Sequence, residues 1–507
     1  MNLIVTAVLT LTVTTLSGQY RTDAVPATGV KSDTSAVVIT LDDALKIALS
    51  ENVAVKVADK EIERNQYAKK GTYSSLFPQV AGSGSYQRTI KKQIMYMDSD
   101  SGDDEEGGGG FGMLSSLAPY FIRINELSAI QGMPLIIPGE SESSSSNSGF
   151  AVGRWNTYNY GVNAQMPLIN AQLWESLRIS GQAVDLAVEK ARSSRLDMVT
   201  QVKQAFYAVL LAKEAFNVYK DVYENAVENF VQTERRYNAE KASELEYTRA
   251  KSVVAGAIPN VYNAESSVML ALWQLKAVMG VDLDRNIDVA GSLGDYSTQM
   301  FRDIHDNDDP SLDYNTTLRQ LELQADQLAS SVRMYKAAYL PTLSAAFAYN
   351  MIAMTNDFKF SEYKWSPYSY VGLSLNIPIF TGFKRHYDVK QAKVQAVELD
   401  LQRIETERQL RIAIRQFLNT METSMNSYHA ATEAVGLARK AYDIAAKSYK
   451  VGKGTITDMN DAQLTLTQAS LQQSQAVYNF IVAKSSLEQI LGGDFIDEDG
   501  NVDLDNM

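Results

Sequence analysis

The chain repeats itself at long range, and that duplication limits its possible folds more than any other feature. Arg236-Tyr237-Asn238-Ala239-Glu240-Lys241 returns as Ser448-Tyr449-Lys450-Val451-Gly452-Lys453, an offset of 212 residues. The same offset pairs Ala226 with Ala438, Ala250 with Ala462, Ala264 with Ala476, Leu275 with Leu487 and Gly280 with Gly492. Nearer the N-terminus, Met166-Pro167-Leu168 corresponds to Ile377-Pro378-Ile379 at 211, and Leu76-Phe77-Pro78 to Tyr339-Leu340-Pro341 at 263. The halves share one plan, and the first carries 52 extra residues between its two prolines.

Each half reads as a helix, two strands and a pair of long helices. The stretches 42–75 and 316–340 have helical period and composition and stop ahead of Pro78 and Pro341, since proline cannot continue a helix. Strands follow, marked by period-two alternation. Tyr158, Tyr160, Val162, Ala164 and Met166 share one face against Asn159, Gly161, Asn163 and Gln165. Leu343, Ala345, Phe347, Tyr349 and Met351 form a second apolar row. Val371, Leu373, Leu375, Ile377 and Ile379 form a third, against Gly372, Ser374 and Asn376. The remaining strand, 80–88, is Gly-rich and weakly marked. Pro167, and Pro378 with Gly382, stand where strand gives way to helix.

The next stretches, 171–237 and 382–449, run 67 and 68 residues with few breakers; each would be ~100 Å long if continuous. Phe216, Tyr219, Tyr223, Val227 and Phe230 step by 3, 4, 4, 3, as do Ile414, Phe417, Met421, Met425 and Tyr428. That spacing predicts a narrow coiled-coil seam. Helices over 244–279 and 455–491 return from the turns.

These elements divide the chain into a first repeat at 39–283 and a second at 314–493, with a Gly-, Asp- and Pro-containing connector at 284–313. A long loop at 89–153 holds the acidic run 98–106, a Gly run and a Ser-rich run at 141–148, all of them solvated by composition. The acidic run is expected to face the cell exterior and to be dispensable for assembly. Residues 1–18 have an apolar core and a following small residue, as in a signal peptide, though no Lys or Arg precedes the core. Residues 19–38 read as an N-terminal extension and 494–507 as an acidic tail.

Composition removes several classes of function. Asp plus Glu number 60 against 47 Lys plus Arg, a formal net charge of −13, which argues against the clustered cations a nucleic-acid binder needs. There is no Cys, and the three His (His305, His386, His429) lie far apart. No catalytic arrangement, cofactor motif or metal-ligand set emerges, so no enzyme is expected. Gly452-Lys453-Gly454-Thr455 lacks the earlier Gly and the strand of a phosphate loop. The tail's acids lack the flanking helices and closing Glu of a calcium loop.

Four amphipathic strands cannot close a transmembrane barrel, which needs about eight. Left open, such a sheet has two bare edges. Three copies give twelve strands and a closed barrel, and strands of ~10 residues tilted ~40° span the ~25 Å apolar band of an outer membrane.

The chain resembles the TolC-like outer membrane efflux and secretion channels over about 39–493. The resemblance rests on Ser448-Tyr449-Lys450-Val451-Gly452-Lys453-Gly454-Thr455-Ile456-Thr457-Asp458-Met459-Asn460-Asp461-Ala462, similar to that family's periplasmic helical turn. Leu373 to Gly382 is similar to its strand-to-helix junction, and Leu41 to Asn52 to its first helix. It implies an α+β membrane protein: a trimeric twelve-stranded β-barrel, four strands per protomer, continuous with a long α-helical periplasmic tunnel. It also implies a Gram-negative outer membrane, a homotrimer in contact with lipid, and a periplasmic adaptor linking the channel to an inner-membrane pump. No nucleic acid takes part. The alternative is a soluble periplasmic coiled-coil scaffold or adaptor, which has no use for apolar strand rows facing lipid.

By the same resemblance, Asp458 and Asp461 form carboxylate rings at the periplasmic mouth; spacing alone favours ordinary helix-start acids held by the dipole. Glu246, at the matching first-half position, is expected to latch to Tyr449. Two departures stand out. Gly454 occupies a position where related channels often carry a base, for which Lys453 is the nominated substitute, and Glu240 replaces the glycine that Gly452 preserves. Gly452, Gly454, Glu240 and Lys241 are the expected adaptor contacts at the helical tips.

Overall fold

The computed structural model describes residues 37–95, 150–297 and 311–493. The signal-peptide reading, the acidic and Ser-rich runs, His305 and the acidic tail lie outside the described residues.

In chain order, β1 (Val37–Ile39) precedes α1 (Leu41–Glu51) and α2 (Val53–Ser74). Four strands follow: β2 (Gln79–Arg88), β3 (Gln93–Met95), β4 (Phe150–Val152) and β5 (Asn156–Ile169). The first long pair is α3 (Ala171–Asn238) and α4 (Glu244–Met279). Then come β6 (Ile287–Val289), α5 (Leu293–Ser297), α6 (Thr316–Ala337), β7 (Thr342–Thr355) and β8 (Ser366–Asn376). The second long pair, α7 (Lys384–Lys450) and α8 (Ile456–Leu491), completes the described chain. Two compact units result, a helical one and a sheet one.

In the helical unit α3 has 68 residues and α7 has 67, while α4 and α8 have 36 each. Alanines recur every seven residues on the buried side of the shorter helices: Ala250, Ala257, Ala264 and Ala271 on α4, and Ala469, Ala476 and Ala483 on α8. A heptad period with a small residue at the seam lets neighbouring backbones approach closely. The seam predicted on α7 is present, with Ile414 and Met421 buried and Phe417, Met425 and Tyr428 packed beside the core. The core joins Leu45, Val202, Phe206, Leu275, Met279 and Phe480 to β1 and β6, which pair in parallel. Thus β1 reaches into the predicted extension, and the predicted connector carries β6 and α5.

The predicted helix over 42–75 breaks at Asn52. Its side chain accepts a bond from the Ala54 N–H at 2.6 Å and donates to the Val278 carbonyl at 2.6 Å. Gly280, in the left-handed region at φ 73°, lies where a side chain would press on the Glu51 carbonyl. Asn315 behaves alike: it accepts from the Leu318 N–H at 2.9 Å and donates to the Ile490 carbonyl at 2.6 Å, beside left-handed Gly492. Asparagine suits both sites because one amide can cap the following helix and satisfy an orphan carbonyl at the end of another.

The sheet unit is antiparallel, in the order β2-β5-β7-β8. Its register carries the apolar rows across all four strands: Val80, Ala164, Phe347 and Val371 are in line, as are Met166, Ala345 and Leu373. This face is uncovered in the chain, with Val371 80% and Leu373 70% exposed. The opposite face is amide- and hydroxyl-rich, and the Asn163 amide donates to Ser83 Oγ at 3.4 Å. Gly161 is required there because a side chain would overlap the Asn350 amide on β7.

One strand boundary differs from the sequence reading. β8 ends at Asn376, so Ile377 and Ile379 fall beyond it; Pro378 cannot donate to a ladder. Pro167 sits within β5, at an irregularity in its pairing with β7. Pro78 and Pro341 lie just past α2 and α6, and Gly382 takes φ 62° before α7. No described helix is long and apolar enough to cross a membrane, a statement about helices alone.

Candidate functional site at the helical turns

The two turns between the long helices have one construction. At the first, the Glu240 N–H donates to the Tyr237 carbonyl at 2.9 Å and the Lys241 N–H to the Arg236 carbonyl at 2.8 Å. At the second, the Gly452 N–H donates to the Tyr449 carbonyl at 3.0 Å and the Lys453 N–H to the Ser448 carbonyl at 2.9 Å. Both chain reversals need a left-handed residue, which Gly452 supplies at φ 78° and Glu240 at φ 55°. For a non-glycine residue that conformation costs roughly 1–2 kcal/mol. Glu240→Gly is therefore expected to stabilise the fold, by about 1 kcal/mol less glycine's own entropic cost. A higher thermal midpoint for loss of helical ellipticity checks it.

Each return helix starts on a reciprocal cap. The Ser243 N–H donates to the Glu246 carboxylate at 3.4 Å, and the Glu246 N–H to Ser243 Oγ at 3.2 Å. In the second half the Thr455 hydroxyl donates to Asp458 Oδ2 at 2.7 Å and its N–H to the same oxygen at 3.2 Å. These bonds, the hydroxyl's first, hold the Asp458 carboxyl below the usual carboxylate range. Asp461 is one turn on, and both aspartates are exposed.

Tyr449 is nearly fully buried, with Ala250, Ile456 and Met459 around it. Its hydroxyl lies 2.7 Å from Thr233 Oγ1. The Thr233 hydroxyl donates to the Asn229 carbonyl at 2.8 Å, so its one proton is committed and the Tyr449 O–H is the donor in the pair. Arg236 donates to the Tyr449 carbonyl at 3.3 Å, and its guanidinium lies 5.3 Å from the ring centroid. Arg249 donates to Thr457 Oγ1 at 3.5 Å. Within the protomer, then, the two helical pairs are joined at their tips by Thr233, Arg236 and Tyr449, and Glu246 is occupied with Ser243. Gly454 has its own reason: a side chain there would come within 3.0 Å of Ser448 Cβ. Lys241 and Lys453 are exposed.

Sequence reasoning did not select Thr233 or Arg236. The available signal was that Arg236 precedes Tyr237 where Ser448 precedes Tyr449, so one of the motif's three charge differences lies directly before its tyrosine. The halves also differ in orientation: Tyr237 is 37% exposed and stacks on Tyr247 at 4.9 Å, whereas Tyr449 is 3% exposed. Among the described residues no group of three or more His, Cys, Asp or Glu could hold a metal ion.

A model of the outer membrane efflux protein family matches residues 139–281 and 310–493. The chain belongs to the outer membrane efflux protein family. Like that family, it is a protein of the outer membrane and of transport. It is 20% identical over 341 residues to the outer membrane protein TolC of Vibrio cholerae, covering 66% of this chain and 76% of the relative. Against TolC of Escherichia coli the identity is 21% over 327 residues, 63% of this chain and 66% of the relative. The fold is that of the Campylobacter jejuni CmeC outer membrane channel, with a TM-score of 0.64, 18% identity, and 89% and 85% of the two chains covered. Vibrio cholerae VceC gives 0.62 at 14% identity, with 89% and 96% covered. In this efflux-family chain, the left-handed residues, reciprocal caps and buried Tyr449 are the local features that set the helical turns apart.

Proposed function

We propose that three copies of the chain form a passive exit channel, gated at the helical turns and loaded by a periplasmic adaptor and an inner-membrane pump. The observation that carries this reading is the open four-stranded sheet, with an exposed apolar face and with β2 and β8 unpaired along their outer edges among the described strands. Unpaired edges and apolar face are both satisfied if three sheets close a twelve-stranded barrel in lipid. A soluble scaffold would leave that face in water.

An internal duplication underlies the reading, supported by buried alanines at matched positions on α4 and α8 and by the paired Asn52 and Asn315 contacts. In the trimer the same tips meet around one axis. Asp458 and Asp461, repeated three times, would concentrate cations at the mouth, as other carboxylate rings do. Tyr449 is the latch, with Thr233 and Arg236 as its partners inside the protomer; Lys453, and the Glu246 oxygen not used by the Ser243 cap, would face a neighbouring copy. Gly452, Gly454, Glu240 and Lys241 lie at the turns, where an adaptor would grip. Efflux and type I secretion both suit such a duct.

Asp458→Asn with Asp461→Asn tests the gate. Asparagine keeps an acceptor for the Thr455 cap and removes only charge. Planar-bilayer recordings are expected to show weaker cation preference and less block by multivalent cations. Unchanged selectivity would make both residues ordinary helix-start acids.

A further inference from the structure

Among the described residues of the sheet unit, charge is confined to one end. Its described cations are Arg88, Lys91, Lys92, Arg154, Lys359 and Lys364, and its described anions are Asp357 and Glu362. All eight lie at the hairpin end, on the segments that leave β2, enter β5 and join β7 to β8. From there to the end where the strands lead into helices, none of the unit's described residues is Asp, Glu, Lys, Arg or His. Among the described residues the surplus is four positive charges, in a chain of formal net charge −13.

The hairpin-end segments are tied together. The Thr89 N–H donates to the Trp155 carbonyl at 2.8 Å, the Trp155 N–H to Asn356 Oδ1 at 3.2 Å, and the Asn156 amide to the Asp357 carbonyl at 3.2 Å. Aromatic rings fill the same end: Tyr158 stacks on Tyr86 at 4.8 Å and meets Phe360 and Tyr363 at 5.3 Å each. Cations lie over further rings, Arg88 5.8 Å from Phe358 and Lys92 4.8 Å from Trp155. A ring contact positions a cation without neutralising it. One of the two acids is already engaged, since the Thr355 hydroxyl donates to Asp357 Oδ1 at 2.7 Å.

A charge-free apolar band bounded by an aromatic belt and then by cations matches a bilayer surface rich in negative head groups. Guanidinium and ammonium groups at that depth pair with phosphate oxygens, Arg by a two-point fork and Lys as a point charge. We propose that the hairpin-end patch binds the phosphate groups of an anionic glycolipid in the leaflet it faces. The proposal rests on the reading that the sheet spans the outer membrane with its hairpins outward. The acidic run 98–106 of the same chain is the competing occupant, but the aromatic belt favours lipid, because an acidic peptide has no need of apolar rings beside its binding site.

The test uses the full-length chain in neutral detergent, titrated with bisphosphorylated lipid A and with its dephosphorylated form. The phosphorylated lipid is expected to bind at least about tenfold more tightly. Arg88→Gln with Lys92→Gln, Lys359→Gln and Lys364→Gln should abolish that preference, while Lys→Arg at 92, 359 and 364 should keep it. An unchanged thermal midpoint and mass would show that the Gln variant is folded. Equal binding of both lipids, or a Gln variant that still discriminates, would overturn the proposal. So would displacement by inorganic phosphate alone, which marks a small-anion site, or binding that arises only after deletion of 98–110, which makes the acidic run the occupant. Failure of the membrane reading is distinguishable: wild-type chain would then be missing from the outer-membrane fraction.

Discussion

Val371→Lys with Leu373→Arg is expected to remove the protein from the outer membrane. Both side chains lie on the exposed apolar face of β8, in line with Phe347 and Ala345 of β7. A Lys or Arg facing lipid near the midplane costs about 2–4 kcal/mol. Two per chain, repeated in three chains, come to about 12–24 kcal/mol, as large as or larger than the 5–15 kcal/mol that holds a typical domain folded. Ser374→Arg, on the opposite face of the same strand, is the control: it should insert and alter only conductance, because in the proposed barrel that face meets water. Membrane fractionation distinguishes the two, and equal insertion of both variants would mean that the apolar face does not meet lipid.

The second large effect concerns Tyr449. Tyr449→Ala empties a nearly fully buried site at the tip and removes the ring over which Arg236 lies; large aromatic-to-alanine changes of this kind cost about 3–5 kcal/mol. If that packing holds the mouth closed, basal conductance in planar bilayers should rise several-fold with ion selectivity unchanged. Two milder changes should differ from one another. Tyr449→Phe leaves the Thr233 hydroxyl bonded to the Asn229 carbonyl. Thr233→Val leaves the buried Tyr449 hydroxyl without its acceptor, at about 1–3 kcal/mol. Thr233→Val should therefore open the channel more than Tyr449→Phe, and the double variant should fall below Thr233→Val. The reverse order would remove this hydroxyl pair from the gate.

The sequence made long-period features readable and left short-range coincidences hidden. Alternation on β5, β7 and β8 and the seven-residue seam on α7 each repeat over many residues, so the pattern survives local noise. The turns could be found because Tyr237 and Tyr449 sit in copies of one motif. By contrast, β1 and β6 are three residues each, and their pairing joins Val37 to Ile287; no local period announces it. The break at Asn52 depends on the Val278 carbonyl 226 residues away. The partners of Tyr449 had the same obstacle, since Thr233 and Arg236 reach it only after two long helices have returned side by side. The resemblance supplied a latch position and its tyrosine, while the packing of this chain determined which hydroxyl and which guanidinium meet it.

The central claim is that one chain cannot form the channel and three can. The native mass of the protein, extracted from the outer membrane in mild detergent without heating, tests it most directly. The expected mass is three times that of the extracted chain, falling to one chain only when heat also unfolds the sheet. A folded monomer, with the edges of β2 and β8 protected from hydrogen exchange, would contradict it.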